Sequence, residues 1–226
     1  MLYGNFLNTC LIISFGINRK ICCKFTAYTI VMSDFWIYVQ TGLHHVLDLN
    51  GYDHVLFLIA LTVPYTFADW KKILILVSVF TLGHTAAMLM SVFGIITLDE
   101  GIVEFLIPVT ILITAMYTLL NAGKIAKLKQ STSIVITGFF GLIHGLGFAG
   151  YFKSILPGSP SDKLLPLLEF ALGIEIAQII VVLAMLVLAY LVQSSRRFSQ
   201  RDWTLILSAF VIGVVVPMII DNPIWK

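Results

Sequence analysis

Three histidines lie inside long apolar stretches of this chain. They are His54 in Gly51-Tyr-Asp-His-Val-Leu-Phe-Leu, His84 in Phe80-Thr-Leu-Gly-His-Thr and His144 in Gly141-Leu-Ile-His-Gly-Leu-Gly. A titratable ring in hydrocarbon is costly unless it is paired, metal-bound or beside water. Two carboxylates share such settings: Asp53 at the head of the first stretch, and Glu175 in Phe170-Ala-Leu-Gly-Ile-Glu-Ile-Ala-Gln. Imidazole and carboxylate together are the ligand chemistry of divalent nickel, cobalt, zinc or copper, and the Irving–Williams order prevents the ligand set from naming the metal. His45, beside His44 and three residues before Asp48, is a candidate entry ligand.

Each of these residues also has a purely structural reading. Asp53 can satisfy the free N–H groups of a helix start. A lone His84 can hydrogen-bond across helices, and Met88 at i+4 is more often packing than ligand. Gly141 and Gly145 form a small-xxx-small pair that brings backbones together. Glu175 is the most expensive residue if unpaired: it must protonate or find a donor or cation, and Gln178 at i+3 is placed to orient it. Taken together, the three histidines and two acids point to a site.

The elements that must position them follow from composition. Of 226 residues 59% are apolar and 12% charged, with a mean hydropathy of +0.98. A soluble domain carries about 25% charged residues, so most of this chain must face lipid or other spans. The reading is an all-α, polytopic membrane helix bundle, and the bilayer is its first partner. The short alternating segments of a β-barrel are absent. The net charge of +2 with no basic tract excludes nucleic acid.

A span needs about 20 mainly apolar residues. Six candidates appear, at 51–67, 72–93, 101–121, 131–152, 164–192 and 203–220. Segment 33–49 is different: Phe35, Trp36, Val39, Leu43, Val46 and Leu47 recur at helical spacing, but Asp34, Gln40, His44 and Asp48 interrupt the apolar face. It reads as an interfacial or re-entrant helix at the rim of the bundle. Pro108 is a candidate kink in the third span.

Alternate loops hold Lys71 and Lys72, then Lys124, Lys127 and Lys129, then Arg196, Arg197 and Arg201. The positive-inside rule makes that side cytoplasmic. A multi-pass protein of a bacterial inner membrane is expected, with both ends of 32–226 outside. Counted from the outer ends at 1.5 Å per residue, His54 falls roughly 5 Å deep, His144 roughly 12 Å, and His84 and Glu175 roughly 15 Å. Four polar residues from four spans thus share the outer half of the bilayer.

Residues 1–31 differ in character and carry all three cysteines, Cys10, Cys22 and Cys23, so no disulfide framework is implied. Met32 then opens Met-Ser-Asp-Phe-Trp. The expectation is that 1–31 is a non-native or disordered extension and 32–226 a single transmembrane domain. A signal-like reading fits less well, since Arg19, Lys20 and Lys24 follow the apolar run 11–17.

In order, these segments resemble the HupE/UreJ family. The matching stretches are Gly42-Leu-His-His-Val-Leu, Gly51-Tyr-Asp-His-Val-Leu-Phe-Leu, Phe80-Thr-Leu-Gly-His-Thr, Gly141-Leu-Ile-His-Gly-Leu-Gly-Phe-Ala and Leu172-Gly-Ile-Glu-Ile-Ala-Gln. The resemblance runs from about Ser33 to the C-terminus. It implies nickel or cobalt permease activity, with His45, Asp53, His54, His84, His144 and Glu175 at the family's polar signature positions. Shorter members have a compact His-Pro-x-x-Gly-x-Asp-His block. Here Val46 follows His45 and two more residues precede Gly51, which places the chain nearer the UreJ-like branch.

The leading function is therefore transition-metal transport, nickel first, with no catalytic residues. Six spans are few for alternating access in one chain, so a homo-oligomer is a candidate assembly. The alternative is a zinc-dependent intramembrane hydrolase, with histidines and Asp53 on the metal, an activated water, and Glu175 as general base. Against it, His-Glu-x-x-His is absent. A metal sensor is a weaker third reading, because the cytoplasmic loops are short.

Overall fold

A computed structural model describes residues 35–48, 51–123, 130–155, 158–194 and 198–225. The expectation for residues 1–31 lies outside them. The described residues form seven α-helices: α1 (35–47), α2 (Asp53–Thr62), α3 (Trp70–Val92), α4 (Glu100–Leu120), α5 (Gln130–Ile155), α6 (Leu164–Ser194) and α7 (Gln200–Ile220). Five of them, α3 to α7, are long and apolar enough to cross a membrane.

The first expected span is the exception. In α2 only ten residues are helical, about 15 Å of rise, half the hydrocarbon thickness. Pro64, lacking an N–H, stands two residues past its end and cannot continue the ladder. The segment is a short apolar helix inserted among the others. Pro108 does not break α4, which runs unbroken from Glu100 to Leu120.

Helix starts follow local chemistry. Asp99 caps α4, its Oδ1 accepting from the Gly101 N–H at 2.9 Å. At α7, Ser199 and Asp202 form a capping box: the Ser199 N–H donates to Asp202 at 3.0 Å, and the Asp202 N–H to Ser199 Oγ at 3.2 Å.

Packing is organised around α3 and α5, which share the most extensive interface in the molecule. Glycines make it possible. A Cβ on Gly141 would collide with the Phe80 carbonyl oxygen, one on Gly145 with that of His84, and one on Gly83 with that of Gly138. Backbones this close align α3 and α5 over several turns, which brings His84 and His144 to one seam. Two apolar cores flank the pair. Ile73, Val77 and Met88 of α3 pack with Phe152 of α5 and Phe170 and Ile174 of α6, while Leu76 and Phe80 pack with Phe57, Phe140, Ile111 and Val211. Met88 therefore belongs to the packing.

The rim helix is clamped to α6 by a second glycine pair. A Cβ on Gly42 would meet the Phe170 carbonyl oxygen, and one on Gly173 that of Val39. Val39 and Val46 are buried, while Trp36 and Ile37 of the same helix are exposed. This fixes one end of α1 beside the α3–α5 seam.

Candidate metal centre

Four imidazoles converge away from the Lys71 end of α3. His54 is central: its ring lies 4.7 Å from His45, 5.7 Å from His84 and 5.3 Å from His144, centroid to centroid. His45 and His84 are 5.8 Å apart. These rings come from α1, α2, α3 and α5. Among the described residues, His45, His54 and His84 each offer a ligand atom within 4.8 Å of the other two. His144 joins through His54 and Phe80, whose ring is 5.1 Å away.

Hydrogen bonding aims the rings. The Asp53 carboxylate accepts from the His54 backbone N–H at 2.9 Å and lies 3.2 Å from its Nδ1. A proton on Nδ1, donated to Asp53, leaves the Nε2 lone pair free. His144 does the same with the Phe140 carbonyl, 2.9 Å from its Nδ1. Such outer partners fix tautomer and orientation in metal sites. His54, His84 and His144 are 3%, 0% and 1% exposed. Nε2 of His45, His54 and His144, and both nitrogens of His84, are nevertheless buried without a hydrogen-bond partner. Each unpartnered buried nitrogen costs about 1–3 kcal/mol, and several in one place fit a site that takes a cation.

Aromatic rings wall the cluster. Phe148 lies 3.9 Å from the His45 ring and stacks at 5.1 Å on Phe170, while Phe57 sits 5.5 Å from His144. Beyond His45 is an open depression of about 930 Å³, lined by Gln40, Thr41, exposed His44, Asp48 and Tyr151 among others. It gives the imidazoles a polar mouth.

Glu175 stands elsewhere. Ser78 Oγ donates to its Oε1 at 2.6 Å, and Thr81 bonds its Oε2. Thr81 also lies 3.0 Å from Gln178 Oε1. Along α3, Thr81 and Ser78 precede His84 by about 4.5 and 9 Å, so Glu175 lies a turn or two toward the Lys71 end. The depth count put Glu175 level with His84; the structure pairs it with residues further along. Gln178 was legible as a neighbour of Glu175 in sequence, but Thr81 and Ser78 were missed as its partners. Their signal is the polar spacing 78, 81, 84 on one face of α3. Nothing here favours the hydrolase: the carboxylate that would act as general base bonds two hydroxyls.

No curated protein and no solved structure matches the chain. The model of the family described as HupE / UreJ protein matches residues 22–220, beginning ten residues before Met32. That match takes in every helix and every imidazole of the cluster, and the chain belongs to the HupE/UreJ family.

Proposed function

We propose that this protein is a transition-metal permease, with Ni²⁺ as the leading cargo and Co²⁺ next. The observation that carries the reading is the three-helix set His45, His54 and His84, with ligand atoms within 4.8 Å and ring nitrogens buried without partners. Family membership supports nickel or cobalt as the class of cargo. Neutral imidazoles suit such borderline cations, and a resident ion would leave the nitrogens satisfied.

The cation enters through the depression at His44 and Asp48, meets His45 first, and is held by His45, His54 and His84. Asp53 holds His54 in its ligating tautomer, and His144 is the next imidazole in reach. By the positive-inside reading this end of the bundle is the outer half of a bacterial inner membrane. Release inward requires the α1 and α2 ligands to separate from α3.

The test is uptake of radiolabelled nickel by cells expressing the wild-type chain or the His54→Ala, His84→Ala and His144→Ala variants at matched levels. The expected result is loss of uptake in the first two and a reduced rate in the third. Uptake that survives the His54→Ala/His84→Ala double change overturns the reading. Elemental analysis of the purified protein identifies the metal.

A further inference from the structure

Through His45 the imidazoles reach the outer depression; in the other direction they meet phenylalanines. Phe80 lies 6.0 Å from the His54 ring and 5.1 Å from His144, Phe57 lies 5.5 Å from His144, and the two phenylalanines stack at 4.7 Å. Phe140 is 6.2 Å from Phe57, and its carbonyl holds His144 Nδ1. All three rings are buried. They floor the site.

Behind the floor is a cavity of about 210 Å³ whose wall includes Phe57 and Phe140 themselves. The short α2 explains it: the helix stops at Thr62, so no full-length span fills the space between α4 and α5 at the Lys71 end. One face of α5 carries His144, Phe140, Thr137 and Ser133 at helical spacing, and one face of α2 carries His54, Phe57 and Leu61, with Tyr65 beyond its end. Both run from ligand to floor to cavity wall. Thr137 and Ser133 lie roughly 10 and 16 Å past His144 along α5. Gly141 packs on Phe80 and Gly145 on His84, so α5 runs parallel to α3 and this direction is toward the Lys71 end. The wall carries hydroxyls, from Thr114 and Thr118 of α4, Ser133 and Thr137 of α5, Tyr65 and Tyr117. Thr118 donates at 3.4 Å to the Ala60 carbonyl, the one whose helical donor Pro64 removes. Pro64 and Tyr65 also bring non-helical backbone to the wall, which at membrane depth is tolerated where protein encloses it or water reaches it. Ile113 and Ile136 of the same wall are exposed, so the competing occupant is a lipid chain.

We infer that the cation leaves the imidazole site through this cavity, and that Phe57, Phe80 and Phe140 are its inner gate, closed in this structure. The inference rests on the permease reading. A dication cannot pass three apolar rings without giving up its ligands and its water, and hydrophobic constrictions close channels on that principle. His144, in contact with all three phenylalanines, is the last imidazole before the gate. Phe57 and Phe140 border the cavity, which gives either ring space to turn aside. Phe57 shares α2 with His54, so the separation of α2 from α3 that frees the cation also lifts one ring of the gate. Beyond the gate, hydroxyl oxygens and water take the place of the imidazoles.

Single cysteines test this in the full chain with Cys10, Cys22 and Cys23 changed to serine. They are labelled with a charged, membrane-impermeant methanethiosulfonate in membrane vesicles of both orientations. Thr137→Cys and Ser133→Cys should react from the Lys71 side, cytoplasmic by the positive-inside reading, and not from the other. His144→Cys should be inert from the Lys71 side and become reactive there once Phe57→Ala and Phe140→Ala are added. Phe57→Ala alone makes the same comparison should the pair fail to fold. Thr137→Cys that stays inert from the Lys71 side overturns the inference and leaves the cavity to a lipid chain. Labelling of Ser78→Cys in its place overturns it too, and puts the exit between α3 and α6. His144→Cys reactive from the Lys71 side with all three phenylalanines intact overturns the gate. Uptake of radiolabelled nickel by the wild type separates the two readings. If nickel is taken up and Thr137→Cys is inert, the permease reading stands and the exit falls. If no nickel is taken up, the permease reading falls and the exit falls with it, whatever the labelling.

Discussion

A buried site residue that awaits a cation should destabilise the protein when the cation is removed, and His84 offers the sharpest case. Both of its ring nitrogens are buried and unpartnered, and the residue is 0% exposed. Replacing it with leucine, similar in volume and without polar atoms, removes two unsatisfied nitrogens, worth about 1–3 kcal/mol each. The change of shape takes back less than about 1.5 kcal/mol. The metal-free His84→Leu protein should therefore be more stable than metal-free wild type, by at least about 0.5 kcal/mol. With Ni²⁺ the difference moves in favour of the wild type. A cation at a hundred times its Kd stabilises the wild type by about 2.7 kcal/mol, and the variant should gain little. The assay is unfolding of purified protein in one detergent, chelator-treated and nickel-loaded, for both chains. A metal-free variant less stable than wild type would show that His84 is an ordinary packing residue. A full nickel-induced shift in the variant would refute its place among the ligands.

Other outcomes test the supports of the site. Asp53→Asn keeps the shape but weakens the acceptor for His54 Nδ1, and should lower nickel affinity about 10–100-fold by calorimetric titration; unchanged affinity removes Asp53 from the site. Gly145→Leu puts a side chain into the His84 carbonyl and should cost about 1–3 kcal/mol of stability together with metal binding. Gly213→Ala, where a Cβ meets nothing within 4 Å, should stabilise α7 by about 0.5–1 kcal/mol and leave binding unchanged, both read by the same unfolding and titration. Gly42→Val drives α1 off the Phe170 carbonyl; nickel affinity should drop while unfolding of α3–α7, followed by helical circular dichroism, keeps a cooperative transition.

Much of this was legible before any fold was known, because a bilayer constrains sequence strongly. Charge depletion gave the class, hydropathy gave five of six spans, and helix rise grouped the histidines by depth. The failure at α2 came from length: 51–67 is mainly apolar, but hydropathy counts residues and cannot see that the helix closes at Thr62. Apart from the family resemblance, His45 was weighed only as an entry ligand, since an interfacial histidine beside His44 has no distinguishing local signal. Only the clamp of Gly42 and Gly173 turns the rim helix so that His45 faces His54 and His84 while His44 faces solvent.

Glu175 marks the boundary between the two kinds of information. Sequence determines that a carboxyl in hydrocarbon must have partners, because its solvation cost depends on residue type and medium alone. Which partners it has is a matter of helix rotation and vertical offset, and these are set by close backbone contacts between segments far apart in the chain. The same holds for the metal centre. Residue types made a cation site the expectation, and the glycine seams of α3 with α5 and of α1 with α6 decided which nitrogens could meet around one ion.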